Sequence, residues 1–115
     1  MSATARVAVL VSGGGTNLQA LLDAAQDPWF PADIVQVVSN VPDVYALERA
    51  AKAGVPRTVL PHKGKPREAF EAELLEILGA VDIVCLAGFM RVLTPFFLGK
   101  FPNRVMNIHP ALLPA

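Results

Sequence analysis

Cysteine occurs once in the 115 residues, so Cys85 has no partner for an internal disulfide and no companion for a multi-cysteine zinc site. Charge is scarce as well. Asp, Glu, Lys and Arg make up 17% of the chain, and the 10 acidic and 10 basic residues cancel. Without a basic excess nucleic acid finds no electrostatic footprint, and without a charge run a membrane surface finds no handle. No apolar run approaches the roughly 18 residues of a transmembrane helix. The run Val7 to Val11 is too short for the core of a signal peptide, and Ser12 and three glycines follow it. These absences lead to the expectation of a soluble, cytoplasmic protein with neither a nucleic acid nor a membrane partner.

What is present is apolar material, 53% of the residues. It comes in short runs that alternate with helical patterns, without an internal repeat, a low-complexity tract or a linker-like break. Strands are predicted over Arg6–Val11, Ile34–Ser39, Arg57–Leu60, Asp82–Ala87 and Arg104–His109. Between them Leu18, Leu21, Leu22 and Ala25 follow a possible capping box of Thr16 and Gln19. Asp43 is predicted to cap a helix carrying Val44, Leu47 and Ala51, with Gly54 ending it. Pro66 suits a helix start, followed by the stripe Phe70, Leu74, Ile77 and Leu78. Thr94–Gly99 reads as a short helix or turn. Strands separated by helices imply right-handed crossovers and a Rossmann-like, doubly wound, mostly parallel sheet in one α/β domain.

Ligands of such sheets bind beyond the carboxyl ends of the strands. The segments leaving those ends are "SGGGTN", "SN", "PHKGKPR", "GFMRVL" and "NIHP". In the first, glycines let backbone amides approach an anion at a helix N-terminus. The alternative is a tight turn with a Thr16 cap. It is not a dinucleotide fingerprint, because Leu18 stands where a third glycine belongs and no acidic residue follows Ser39-Asn40. No Lys-Ser/Thr follows the glycines either, which excludes a Walker loop. In the last segment Asn107 and His109 share one strand face while Ile108 takes the other, and Pro110 ends the ladder. They could be a structural pair. They could equally be a proton-transferring imidazole beside an amide that donates to a developing oxyanion. His62 reads as a solvated loop residue and Cys85 as a small core residue. Arg67 opposes the dipole of its helix, which Glu68 and Glu71 could offset or a ligand could exploit. Arg91 is read as paired with a carboxylate or exposed.

The segments "VAVLVSGGGTNLQALLDA", "VVSN", "LERAAKAGVP", "REAF", "DIVCLAGFMRVL" and "MNIHPALLP" together resemble the phosphoribosylglycinamide formyltransferase family from Arg6 to Pro114. The resemblance implies formyl transfer from 10-formyltetrahydrofolate, as co-substrate, to the amine of glycinamide ribonucleotide in purine biosynthesis, with no metal. It implies that Gly15, Thr16 and Asn17 hold the ribonucleotide phosphate. Arg67, Met90, Arg91, Val92, Leu93 and Asn107 would line the folate site, and Asn107 with His109 would be the catalytic pair. Residues 1–115 would then be the N-terminal part of a single formyltransferase domain. Family members continue past "NIHPALLP" with an aspartate that tunes the histidine and a folate-contacting loop. On this reading the 115 residues alone are expected to be weakly stable and poorly active. A homodimer stays open. Two competing readings are a formyltetrahydrofolate deformylase and a non-catalytic phosphate-binding Rossmann module.

Overall fold

The computed structural model describes residues 4–108, and His109 and the rest of the C-terminal segment lie outside them. Five strands form one sheet: β1 (Ala5–Val11), β2 (Ala32–Ser39), β3 (Arg57–Val59), β4 (Ile83–Leu86) and β5 (Val105–Asn107). The order is β3-β2-β1-β4-β5 and each pairing is parallel. Helices α1 (Thr16–Ala24), α2 (Tyr45–Lys52), α3 (Arg67–Leu78) and α4 (Pro95–Leu98) fill the crossovers. This is the doubly wound architecture expected from the alternation of short apolar runs and helical patterns.

Alternation along β1 sets the two layers. Val7, Val9 and Val11 pack with Leu18 and Leu22 of α1 and Ala46 and Ala50 of α2, while Ala8 and Leu10 pack with Phe70, Leu74 and Leu78 of α3 and Phe97 of α4. A central strand covered on both faces has no room for a polar alternate, hence its continuous apolar run. The register of β2 slips between Val7 and Ala8 of its neighbour, which pair with Ile34 and Gln36. The extra residue, Val35, shifts the parity of the strand. Ile34 and Val37 therefore face one layer, and Val35 and Val38 the other. Ile108 extends β5 by one bond, its N–H donating to Leu86 O at 2.9 Å, and packs on the α1/α2 side.

Helix ends depart from their sequence signals. Gly15, not Thr16, is the N-cap of α1, and Gln19 turns away to Asp23 (2.9 Å), so the capping box does not form. Val44 takes the N-cap of α2, and Asp43 sits in the left-handed region at φ 58°, one residue too early to cap. Pro66 is the N-cap of α3 rather than its first residue. The Gly54 stop holds: Gly54 N–H reaches Ala51 O at 3.0 Å and Val55 N–H reaches Ala50 O at 2.9 Å, the double closure of a Schellman motif.

Cys85 is buried in the α1/α2 layer, and desolvation pushes its thiol pKa up. It should resist iodoacetamide at pH 8 in the folded protein and react once the protein is denatured. Labelling of the native state at the rate of free cysteine would contradict this burial. Among the described residues no helix is long and apolar enough to cross a membrane.

Candidate functional site

The strand order reverses at β1, whose carboxyl end is flanked by β2 on one side and β4 on the other. Chains leaving β1 and β4 diverge there and open a recess of about 160 Å³ lined by Gly13, Gly14, Gly15, Thr16, Asn17, Ala87 and Gly88. Helix α1 begins in this recess. Its first intrahelical bond is Gln19 N–H to Gly15 O (2.8 Å), and among the described residues no side chain caps the earlier amides. Those amides, at the positive end of the helix dipole and without an acidic residue in the first turn, suit an anion.

The three glycines do not serve one purpose. Gly15 has φ 81°, and a Cβ there would lie 2.7 Å from Ala46 Cβ and 2.8 Å from Ala46 Cα. The close approach of α2 requires this glycine. Among the described residues Gly13 and Gly14 would meet nothing within 4 Å, so no described neighbour demands them, and their backbone lies open to a ligand. The loop is tied to α2 through Ala46 N–H to Gly13 O (3.2 Å) and Arg49 Nε to Gly14 O (2.8 Å). Arg49 also donates to Gln19 and lies over the Tyr45 ring.

A hydrogen-bonded line joins the loops across the sheet edge. Met90 N–H donates to Ser12 Oγ (2.8 Å), and Ser12 Oγ donates to Asn40 Oδ1 (2.5 Å). Asn40 Nδ2 then lies 3.1 Å from His62 Nδ1, which is 3.2 Å from the Asn40 carbonyl oxygen. His62 is thus half-buried and bound rather than a solvated loop residue. At the opposite edge Asn17 Nδ2 donates to Ile108 O (3.3 Å), coupling the start of α1 to the residue after Asn107.

Of the residues singled out for a folate site, Met90 and Val92 are strongly exposed (81% and 72%) and Leu93 is buried. Among the described residues Arg91 pairs with no carboxylate, and it is half-buried rather than exposed. Its guanidinium lies 5.1 Å from the centre of the Phe70 ring, and its Nε has no hydrogen-bond partner among the described residues. Arg67 is exposed in the first turn of α3, and Asn107 is exposed at the end of β5. Gly15, Thr16 and Asn17 meet in the recess. Met90 is linked to that loop through Ser12, and Asn107 through the Asn17–Ile108 bond. The position of His109 lies outside the described residues. Among those residues, no three of His, Cys, Asp and Glu group as metal ligands do.

Glu71 enters the sequence reading only as an offset to Arg67, and its burial was missed. It is fully buried, with Thr94 N–H donating to Oε2 at 2.7 Å and the Thr94 hydroxyl donating to Oε1. Its spacing to Leu74 and Leu78, three and seven residues on, is that of a core position and was the available signal. Ser12 and Asn40 gave only their place at strand ends.

The sequence profile of the family described as "Formyl transferase" matches residues 5–115. The trifunctional purine biosynthetic protein adenosine-3 of Drosophila melanogaster is 53% identical over 114 residues, covering 95% of this chain and 8% of that protein. A crystal structure of phosphoribosylglycinamide formyltransferase from Brucella melitensis superposes with a TM-score of 0.90 at 43% identity, covering 97% of this chain and 60% of that one. A formyltetrahydrofolate deformylase from Pseudomonas putida superposes at 0.82 with 28% identity, over 93% of this chain and 38% of its own. The chain spans less than two thirds of each of these relatives.

Proposed function

The chain belongs to the formyl transferase family, and from that premise we propose that it carries the phosphate and formyl-folate sites of a phosphoribosylglycinamide formyltransferase. Its substrates would be glycinamide ribonucleotide and 10-formyltetrahydrofolate, in purine biosynthesis, and a cytoplasmic location goes with them. The observation that carries this reading is the recess at the strand-order reversal. It offers α1 amides left uncapped, and two glycines left without a close neighbour, by the described residues. An acceptor with a phosphate group uses such a cradle, whereas hydrolysis of formyl-folate by water does not.

The reaction begins when the acceptor's primary amine attacks the formyl carbon, forming a C–N bond and moving charge onto the former carbonyl oxygen. The Asn107 amide donates to that oxygen. His109, next but one in "MNIHP", supplies a second donor and carries the proton lost by the amine towards N10 of the folate. Breakage of the bond from the formyl carbon to N10 then releases tetrahydrofolate and the formylated amide. The backbone amides of Thr16 and Asn17 hold the phosphate, and Arg67 with Met90–Leu93 holds the folate. Holding two substrates in register lowers the barrier by removing the entropy of their encounter.

The test is a comparison of formyl release from 10-formyltetrahydrofolate with and without glycinamide ribonucleotide, using the native protein. Transfer that depends on the ribonucleotide is expected. Equal release in its absence would replace this reading with a deformylase.

A further inference from the structure

We propose that Glu71 is a positioning residue for the formyl-folate site, acting through Thr94 on the segment Met90–Leu93; the inference rests on the function proposed above. Glu71 lies on α3 between Phe70 and Leu74, in a layer otherwise made of Leu, Val, Ala and Phe, and is 0% exposed. A carboxylate taken out of water is unfavourable unless its oxygens find donors. Here both oxygens go to a single residue, Thr94, one to its N–H and one to its hydroxyl. A leucine would serve the stability of this layer at least as well. What leucine could not do is fix the backbone at Thr94.

The other end of the same segment is fixed independently. Met90 N–H is held by Ser12 Oγ, itself bound to Asn40. Between the two clamps the chain has little choice. Leu93 is buried, the Arg91 guanidinium rests over Phe70, the neighbour of Glu71, and Met90 and Val92 are presented outward. Helix α3 therefore supplies the exposed Arg67, the ring beneath Arg91 and the clamp on Thr94 from one and a half turns. The N-cap of α4, Thr94, makes no side-chain bond to its own helix, and its hydroxyl is given to Glu71 instead. Loss of the Glu71 bonds frees the Thr94 end and leaves the glycine recess, on the far side of Ser12, as it was.

The experiment measures steady-state kinetics for both substrates in the native protein and in Glu71→Leu, Glu71→Gln and Thr94→Val. Glu71→Leu, similar in size and without an acceptor, is expected to raise the KM for formyl-folate about tenfold while changing the ribonucleotide KM less than about twofold. Glu71→Gln is expected to rescue it, since an amide oxygen accepts the Thr94 N–H and an amide N–H donates to the Thr94 hydroxyl. Thr94→Val should have a smaller effect and add nothing to Glu71→Leu. An unchanged folate KM overturns the inference, as does a parallel rise in both KM values. A glutamine variant as impaired as leucine assigns the effect to charge and overturns the clamp. Should Glu71→Leu fail to fold, Thr94→Val decides alone by the same criterion. A wild-type protein that transfers no formyl group overturns the functional reading and this inference with it. Transfer by the wild type with unmoved folate KM values overturns this inference alone.

Discussion

Asn107→Ala is expected to lower kcat for formyl transfer by about 10²- to 10³-fold, the loss typical of removing one donor to a developing oxyanion. The amide is exposed at the end of β5 while its backbone stays in the ladder beside Leu86, so its removal leaves the sheet intact. Ribonucleotide binding should survive, because the recess that would hold the phosphate is built by the β1–α1 loop and by Ala87 and Gly88. His109→Ala should lower kcat by a comparable factor, about 10²- to 10⁴-fold for loss of a proton-transfer group. The informative pairing is calorimetry against turnover in the same variants. Binding retained with turnover lost supports the catalytic pair. Binding retained with no chemistry in the wild type either would point to a phosphate-binding module. Wild-type turnover in Asn107→Ala would remove that residue from the mechanism altogether.

The fold was legible because its signals are redundant. Each buried strand is a short apolar run, each of α1, α2 and α3 has an apolar stripe, and a parallel sheet follows from their alternation. Strand ends moved in both directions: β1 and β2 begin at Ala5 and Ala32, earlier than the expected Arg6 and Ile34, while Leu60, Asp82, Ala87 and Arg104 fall just outside their strands although each still makes one backbone bond to the neighbouring strand. Caps were less legible. Thr16 and Asp43 are good capping residues by type, yet the chain path puts Gly15 and Val44 at those positions. The site divided the same way. Glycines and "NIHP" stand out locally; the glycines meet in the recess, while His109 lies outside the described residues. The roles of Ser12, Asn40, His62 and Glu71 consist of contacts 22 to 78 residues apart in sequence, which no local pattern encodes. Glu71 misled in a further way. Setting it beside Glu68 as an offset to Arg67 concealed the burial that its spacing to Leu74 and Leu78 implies, although Glu68 alone is acidic in the first turn of α3.

The glycine loop offers the sharpest separation of folding from binding. Gly15→Ala is expected to destabilise the protein by about 2–5 kcal/mol, combining about 1–2 for a left-handed alanine with about 1–3 for overpacking. The steric part cannot relax cheaply. The atoms in the way are Cβ and Cα of Ala46, which belong to the body of α2 rather than to a flexible tip, and Arg49 Cδ stands 3.1 Å off on the remaining side. Moving α2 outward would also strain the Ala46 and Arg49 bonds to Gly13 and Gly14. Gly13→Ala and Gly14→Ala should behave in the opposite way. Their φ angles are not left-handed and their surroundings are open, so stability should change by less than about 0.5 kcal/mol. If the recess holds the substrate phosphate, however, a methyl group in it stands where an oxygen must approach the amides, and ribonucleotide affinity should fall. Urea denaturation and ribonucleotide titration of the three variants check both halves. Destabilisation by Gly13→Ala or Gly14→Ala equal to that by Gly15→Ala would contradict the packing argument. Full affinity in Gly13→Ala and Gly14→Ala would move the phosphate away from this recess.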